Sequence, residues 1–208
     1  MDLDQTLLAF WKWRLRNHYS DRYRGRDLVK FPEDLRTYQK VIEETQPNVL
    51  IELGTFEGGS AMWFRDQMTV LSGRPSYVIT VDTVPCDLQY GGVVILTGDL
   101  RDADMPARVA ANITDGDRVM VVDDSYHTYD VTTSSLTIYS KFVTPGCYFV
   151  VEDGIVDEPE LSIWPGSGGV QPAIVDFLNA DVGQDFIREW REEFGLTMHQ
   201  GGWLRRKS

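Results

Sequence analysis

From residue 40 onward, short apolar runs rich in β-branched residues alternate with longer amphipathic stretches. The runs are Val49–Leu53, Tyr77–Val81, Val93–Leu96, Val119–Val122 and Tyr148–Val151, each followed by a polar or acidic turn. Such runs fit parallel strands buried on both faces. Between them the pattern predicts helices over 34–46, 59–72, 103–112, 127–141 and 171–180. The alternation predicts an α/β fold, a doubly wound and mostly parallel Rossmann-like sheet with right-handed crossovers. Ligands then belong at the carboxyl ends of the strands. The tail, with Phe186–Trp190 and Leu196–Leu204, is expected to supply closing strands. Residues 154–170 are Gly/Pro-rich and long for a loop, which marks them as a functional flap. No linker interrupts 39–208, which read as one domain behind an N-terminal cap segment, 1–38.

Composition narrows the class. With 208 residues and 42% hydrophobic content the chain can bury a core without staples. No apolar run approaches the roughly 20 residues that span a bilayer, and the acidic opening does not resemble a signal peptide. Two cysteines, Cys86 and Cys147, are too few for a disulfide framework, so a cytoplasmic location is expected. The net charge of −12 argues against a general nucleic-acid binder. Charge is uneven, however. Residues 11–30 carry seven Lys/Arg against Asp21 and Asp27, with Trp11, Trp13, Tyr19 and Tyr23 interleaved. A single-strand RNA contact is one reading of that stretch. The preferred expectation is a helix over 11–26 that covers the pocket or meets another subunit, because the acidic body would repel a polyanion.

The chemistry gathers after the runs. Glu52-Leu53-Gly54-Thr55-Phe56-Glu57-Gly58-Gly59-Ser60 opens the helix that follows the first run. Glycines permit close backbone approach, and a helix N-terminus offers free N–H groups. The pattern is neither GxxxxGK[ST] nor GxGxxG, and a lone glycine turn is often only a connection. It gains weight from Asp82 after the second run, placed to accept ribose hydroxyls, and from Asp99 after the third. These features suit S-adenosylmethionine better than NAD. The candidate cofactor residues are Glu52, Gly54, Thr55, Gly58, Ser60, Asp82, Asp99 and Asp123.

The fourth run ends Asp123-Asp124-Ser125-Tyr126-His127 and the fifth Glu152-Asp153-Gly154. Two acidic pairs at one sheet edge repel each other unless a cation intervenes. No lysine or arginine lies nearby in sequence, so Mg²⁺ is expected on Asp124, Glu152 and Asp153, with Asp123 the alternate. The competing reading makes these acids helix caps. His127 is the candidate general base and Asp124 its catalytic companion, whereas His18 and His199 have no comparable setting.

The stretch YRGRDLVKFPEDLRTYQKVIEETQPNVLIELGTFEGGSAMWFRDQM, followed by VITVD, LTGDL, VMVVDDSYHTYDV, TPGCYFVVED and the tail GGWLRR, resembles the cephalosporin hydroxylase/rhamnosyl O-methyltransferase family. The resemblance spans roughly residues 20–206 and implies a metal-dependent class I methyltransferase. It implies Glu52, Gly54, Ser60, Asp82 and Asp99 around the cofactor, Asp124, Glu152 and Asp153 around Mg²⁺, and His127 at the reacting centre. Where the family commonly has D-S-D/S-H, this chain has Asp124-Ser125-Tyr126-His127, so acceptor identity does not carry over. The function expected is O-methylation of a hydroxylated small molecule or glycosylated natural product by a homo-oligomer, with no nucleic-acid or membrane partner. A hydroxylase-type tailoring enzyme and a non-catalytic cofactor-binding partner subunit are the alternatives. An all-carboxylate metal set disfavours the first, and intact strand-end acids disfavour the second.

Overall fold

The computed structural model describes residues 3–17, 20–161, 164–191 and 193–208, with backbone alone for Leu3 and Asp4. Helix α1 (Leu3–Asn17) is followed by a two-stranded hairpin, β1 (Arg22–Tyr23) and β2 (Arg26–Asp27). Then come α2 (Pro32–Thr45), β3 (Val49–Leu53), α3 (Gly59–Ser72), β4 (Tyr77–Asp82) and β5 (Val93–Thr97). The chain continues through α4 (Met105–Ala110), β6 (Val119–Asp123), α5 (Tyr129–Tyr139), β7 (Tyr148–Val151) and α6 (Val170–Asn179), and closes with β8 (Phe186–Glu189) and β9 (Trp203–Arg206). The expected helix over 11–26 is corrected here: it stops at Asn17, and residues 22–27 form the hairpin. A division at 38/39 would fall inside α2.

The seven-stranded sheet runs β5-β4-β3-β6-β7-β9-β8. Strands β3 to β7 are parallel, and β9 and β8 add an antiparallel edge. Every residue of β3 and β6 is buried, which explains their nearly continuous apolar pattern, broken by Glu52 in β3 and ended by Asp123 in β6. Side chains alternate between two cores. Val49, Ile51 and Leu53 face Leu136, Tyr139, Ile174 and Phe177 of α5 and α6. Leu50 faces Tyr38, Val41, Phe64 and Met68 of α2 and α3. Among the described residues no helix is long and apolar enough to cross a membrane.

The winding reverses between β3 and β6, so the loops leaving these neighbours diverge and open a crevice there. Gly54 sits where they touch. A Cβ on it would lie 2.0 Å from the Asp124 carbonyl oxygen, and its φ of +104° already suits glycine.

Candidate active site at the switch point

A cavity of about 960 Å³ opens at this crevice. Gly54, Thr55, Ser60, Asp82 and Asp99 line it from the carboxyl ends of β3, β4 and β5 and the segments that follow them, and Asp124, His127 and Asp153 from the loops after β6 and β7. Glu52, Gly58, Asp123 and Glu152 do not line it.

The acids behind the glycine loop have distinct duties. Asp82 Oδ2 accepts the Thr55 and Phe56 amides at 2.8 and 3.0 Å, and Oδ1 accepts the Val84 amide at 2.9 Å. Asp82 therefore shapes the loop as well as facing the cavity. Glu52 is fully buried beneath it and accepts from Thr80 Oγ1 at 2.7 Å. Burial pushes its carboxyl up to about 7, against the pull of Lys30. Asp99 is clasped by its neighbour Arg101, at 2.9 Å from Nε and 2.6 Å from Nη2, which brings it down to about 2. Asp123 turns inward, accepting from Ser125 Oγ in the following loop and from Ser135 Oγ within α5. Its pKa is raised, because burial outweighs those hydroxyls.

After β6 and β7, His127 Nε2 stands 3.2 Å from Asp153 Oδ2 and 3.6 Å from Asp124 Oδ1. Donor atoms of these three residues lie within 4.8 Å of one another, a spacing that can hold a cation. The acids are not left uncompensated as the sequence suggested. Lys30, 3% exposed, reaches in from the segment after the hairpin and donates to Asp124 Oδ2 at 2.9 Å and to both oxygens of Glu152 at 2.8 and 2.6 Å. Tyr38 Oη donates to the same Glu152 carboxylate at 2.6 Å. Burial opposes the lysine's charge, but Asp124, Glu152 and Glu52 outweigh it and raise its pKa. The premise that no basic residue attends these acids is thus overturned. Asp124 itself is raised, by burial and then by the charge of Glu152.

His199, which the sequence left without a setting, is also corrected. It is 2% exposed, its Nδ1 accepts the Asp153 amide at 3.1 Å, and its Nε2 lies 3.7 Å from Asp34 and 3.8 Å from Glu152. Burial disfavours its charge, while Asp34, Glu152 and Asp153 favour it and raise its pKa. A charged ring has no lone pair at Nδ1 for the Asp153 amide, so that hydrogen bond selects the neutral ring. The amide that donates to Nδ1 needs a lone pair there and holds the proton on Nε2. His18 lies outside the described residues.

The flap is tied down near His127. Gly168 N–H donates to the His127 carbonyl at 2.8 Å, and the Trp164 ring centre lies 6.1 Å from that of His127. Two residues of the flap, 162 and 163, lie outside the described residues. Tyr126 is 77% exposed at the cavity mouth.

A sequence model described as "Rhamnosyl O-methyltransferase/CmcI" matches residues 16–207. The rhamnosyl O-methyltransferase of Mycobacterium tuberculosis (strain ATCC 25618 / H37Rv) is 28% identical over 191 residues, covering 88% of this chain and 76% of that protein. The rhamnosyl O-methyltransferase of Mycobacterium leprae (strain TN) is 26% identical over 217 residues, covering 98% and 92%. Among solved structures, CmcI with Mg-SAM has a TM-score of 0.65 at 20% identity and covers 92% of this chain and 78% of its own. CalS11, a TDP-rhamnose 3'-O-methyltransferase of calicheamicin biosynthesis, has a TM-score of 0.59 at 16% identity, covering 99% and 95%. These two structures share the fold.

Proposed function

The chain belongs to the rhamnosyl O-methyltransferase/CmcI family, and from that premise we propose that it transfers the methyl group of S-adenosylmethionine to a hydroxyl of a small molecule or glycosylated natural product, with Mg²⁺ as the metal. The observation that carries this reading is one cavity lined both by the Asp82-braced glycine loop and by His127 between two carboxylates. Its volume of about 960 Å³ is at the upper end of ligand pockets and suits a cofactor and an acceptor side by side.

The residues fit both groups. Gly54, Thr55, Ser60, Asp82 and Asp99 would hold the cofactor. Asp124 and Asp153 offer the hard oxygen donors that Mg²⁺ prefers, and Glu152 adds a third acid at the same strand end. When bound, the cofactor supplies an activated methyl group and the metal a Lewis acid that acidifies the acceptor hydroxyl. His127 takes the hydroxyl proton at Nε2, and Asp124 and Asp153 stabilise the imidazolium that results. Trp164 and Tyr126 give the acceptor an apolar, aromatic wall. Holding hydroxyl and methyl in line is the fold's main contribution, since the donor is already activated.

Calorimetry with S-adenosylhomocysteine tests the donor half. Asp82→Ala is expected to weaken binding by about 1.5–3 kcal/mol, the range for a lost charged hydrogen bond. Asp82→Asn, which keeps one acceptor oxygen for the loop amides, is expected to recover part of it. EDTA should stop turnover of a hydroxylated glycoside, and Mg²⁺ should restore it. Tight NAD binding with no response to S-adenosylhomocysteine would sink the proposal.

A further inference from the structure

Asp153 leaves β7 in a conformation that side chains seldom adopt, with φ 55° and ψ 34°. Such backbone persists only where its surroundings hold it. Most of the restraint comes from residues 197–202. Val151 N–H donates to the Gly202 carbonyl at 2.8 Å, and Ile155 N–H donates to the Met198 carbonyl at 3.1 Å. Glu152 N–H turns the other way, to the Asp123 carbonyl at 2.9 Å. The left-handed residue itself donates to a side chain, His199 Nδ1.

That histidine is itself held on several sides. Its own N–H donates to Thr197 Oγ1 at 3.0 Å, and its carbonyl accepts the Gly202 amide at 2.9 Å. The ring packs beside Tyr38 and Trp203, at centroid distances of 6.0 and 6.4 Å. It cannot follow Asp153 if that residue relaxes, so it fixes the amide in space. On the far side of the same residue, Asp153 Oδ2 meets His127 Nε2 at 3.2 Å.

We propose that His199 is a positioning residue: its Nδ1 lone pair captures the Asp153 amide, holds the left-handed turn, and so aims the Asp153 carboxylate at His127 and the divalent cation. This rests on the methyltransferase reading above. It places no chemistry on His199, which does not line the switch-point cavity. The requirement is narrow, a hydrogen-bond acceptor at the δ position of residue 199. Asparagine meets it with Oδ1, glutamine carries its acceptor one bond too far, and leucine has none.

Three variants, His199→Asn, His199→Gln and His199→Leu, separate this from a packing role. Mn²⁺ serves as the probe, titrated onto the chain with free ion followed by electron paramagnetic resonance. S-adenosylhomocysteine calorimetry on the same samples reports whether the fold and the donor site are intact. Leucine and glutamine are expected to keep cofactor affinity within about twofold while losing Mn²⁺ affinity at least about tenfold, with kcat falling and the KM for the donor unmoved. Asparagine is expected to return Mn²⁺ affinity to within about threefold of the parent. Should leucine fail to bind the cofactor product, the asparagine–glutamine pair carries the comparison. Equal Mn²⁺ affinity in parent and glutamine variant, or an asparagine variant no better than glutamine, overturns the proposal. A parent chain that ignores S-adenosylhomocysteine would instead count against the methyltransferase reading.

Discussion

Lys30 decides how the acids at β6 and β7 coexist. Its side chain is buried and takes both oxygens of Glu152 and one of Asp124, so it already supplies one positive charge to the cluster. Removing one partner of such a buried pair costs about 3–5 kcal/mol, because the other charge is left uncompensated. Lys30→Met is therefore expected to melt well below the parent in EDTA. Mg²⁺ should recover more stability in the variant than in the parent, since binding to the native state stabilises it. Equal melting shifts with Mg²⁺ in both proteins would show that lysine and metal do not share these acids. The sequence made the acids legible, because strand-end carboxylates recur in a fixed place in this architecture. It hid Lys30, which lies 94 residues from Asp124 and 122 from Glu152 and carries no local pattern that would tie it to either. His199 was hidden for the same reason: its partner is an amide 46 residues away.

Elements were legible where one period dominates. The parallel strands follow from their apolar runs, which are buried on both faces in β3, β4, β6 and β7 and only half-buried in the edge strand β5. The N-terminal region did not yield, because aromatic and basic side chains there serve specific partners rather than a helical stripe. Arg24 and Gly25 both have positive φ, the mark of a two-residue hairpin turn, and this ends any helix. The hairpin is latched by Asp66 on α3. Tyr23 Oη donates to it at 2.8 Å, Arg24 Nε at 3.0 Å and Tyr90 Oη at 2.8 Å. The backbones are also in close contact, since a Cβ on Gly59 would lie 2.1 Å from the Asp27 carbonyl oxygen. Asp27, Val29 and Lys30, which follow the turn, face the cavity. The latch therefore sets where Lys30 enters. Asp66→Ala strands four donors, Arg65 Nη1 at 3.0 Å being the fourth, and is expected to cost about 2–3 kcal/mol. Hydrogen exchange should quicken over residues 22–28 and near Tyr90 while β3 and β6 stay protected. Unchanged exchange over 22–28 would show that backbone packing alone holds the hairpin.

At the scale of the molecule, the two edges of the sheet divide the work. The carboxyl edge gathers Glu52, Asp124 and Glu152 around one lysine, with Asp153 beside His127, an arrangement suited to a cation and costly to keep. The amino edge is built for stability, and its centre is Asp117, just before β6. Its carboxylate accepts from Asn48 Nδ2 at 2.6 Å, Tyr77 Oη at 2.5 Å and the Thr114 amide at 2.8 Å. It thereby ties the starts of β3, β4 and β6. Burial opposes its charge, but donation from Tyr77, Thr114 and Asn48 prevails and lowers it to about 2. Since the folded pKa is below the unfolded one, near about 3.9, the contribution is fully present above that value. It is lost as pH falls towards about 2. A shift of this size on a partly exposed group is worth about 1–2 kcal/mol after allowance for solvent screening. Urea unfolding followed from pH 6 down to pH 2.5 is expected to show this loss in the parent. Asp117→Asn should be less stable at pH 6 by a similar amount and flatter below pH 4. Parallel pH profiles for the two proteins would place the acid-sensitive contact elsewhere, with Asp99, brought down to about 2 by Arg101 at the opposite edge, the next group to replace.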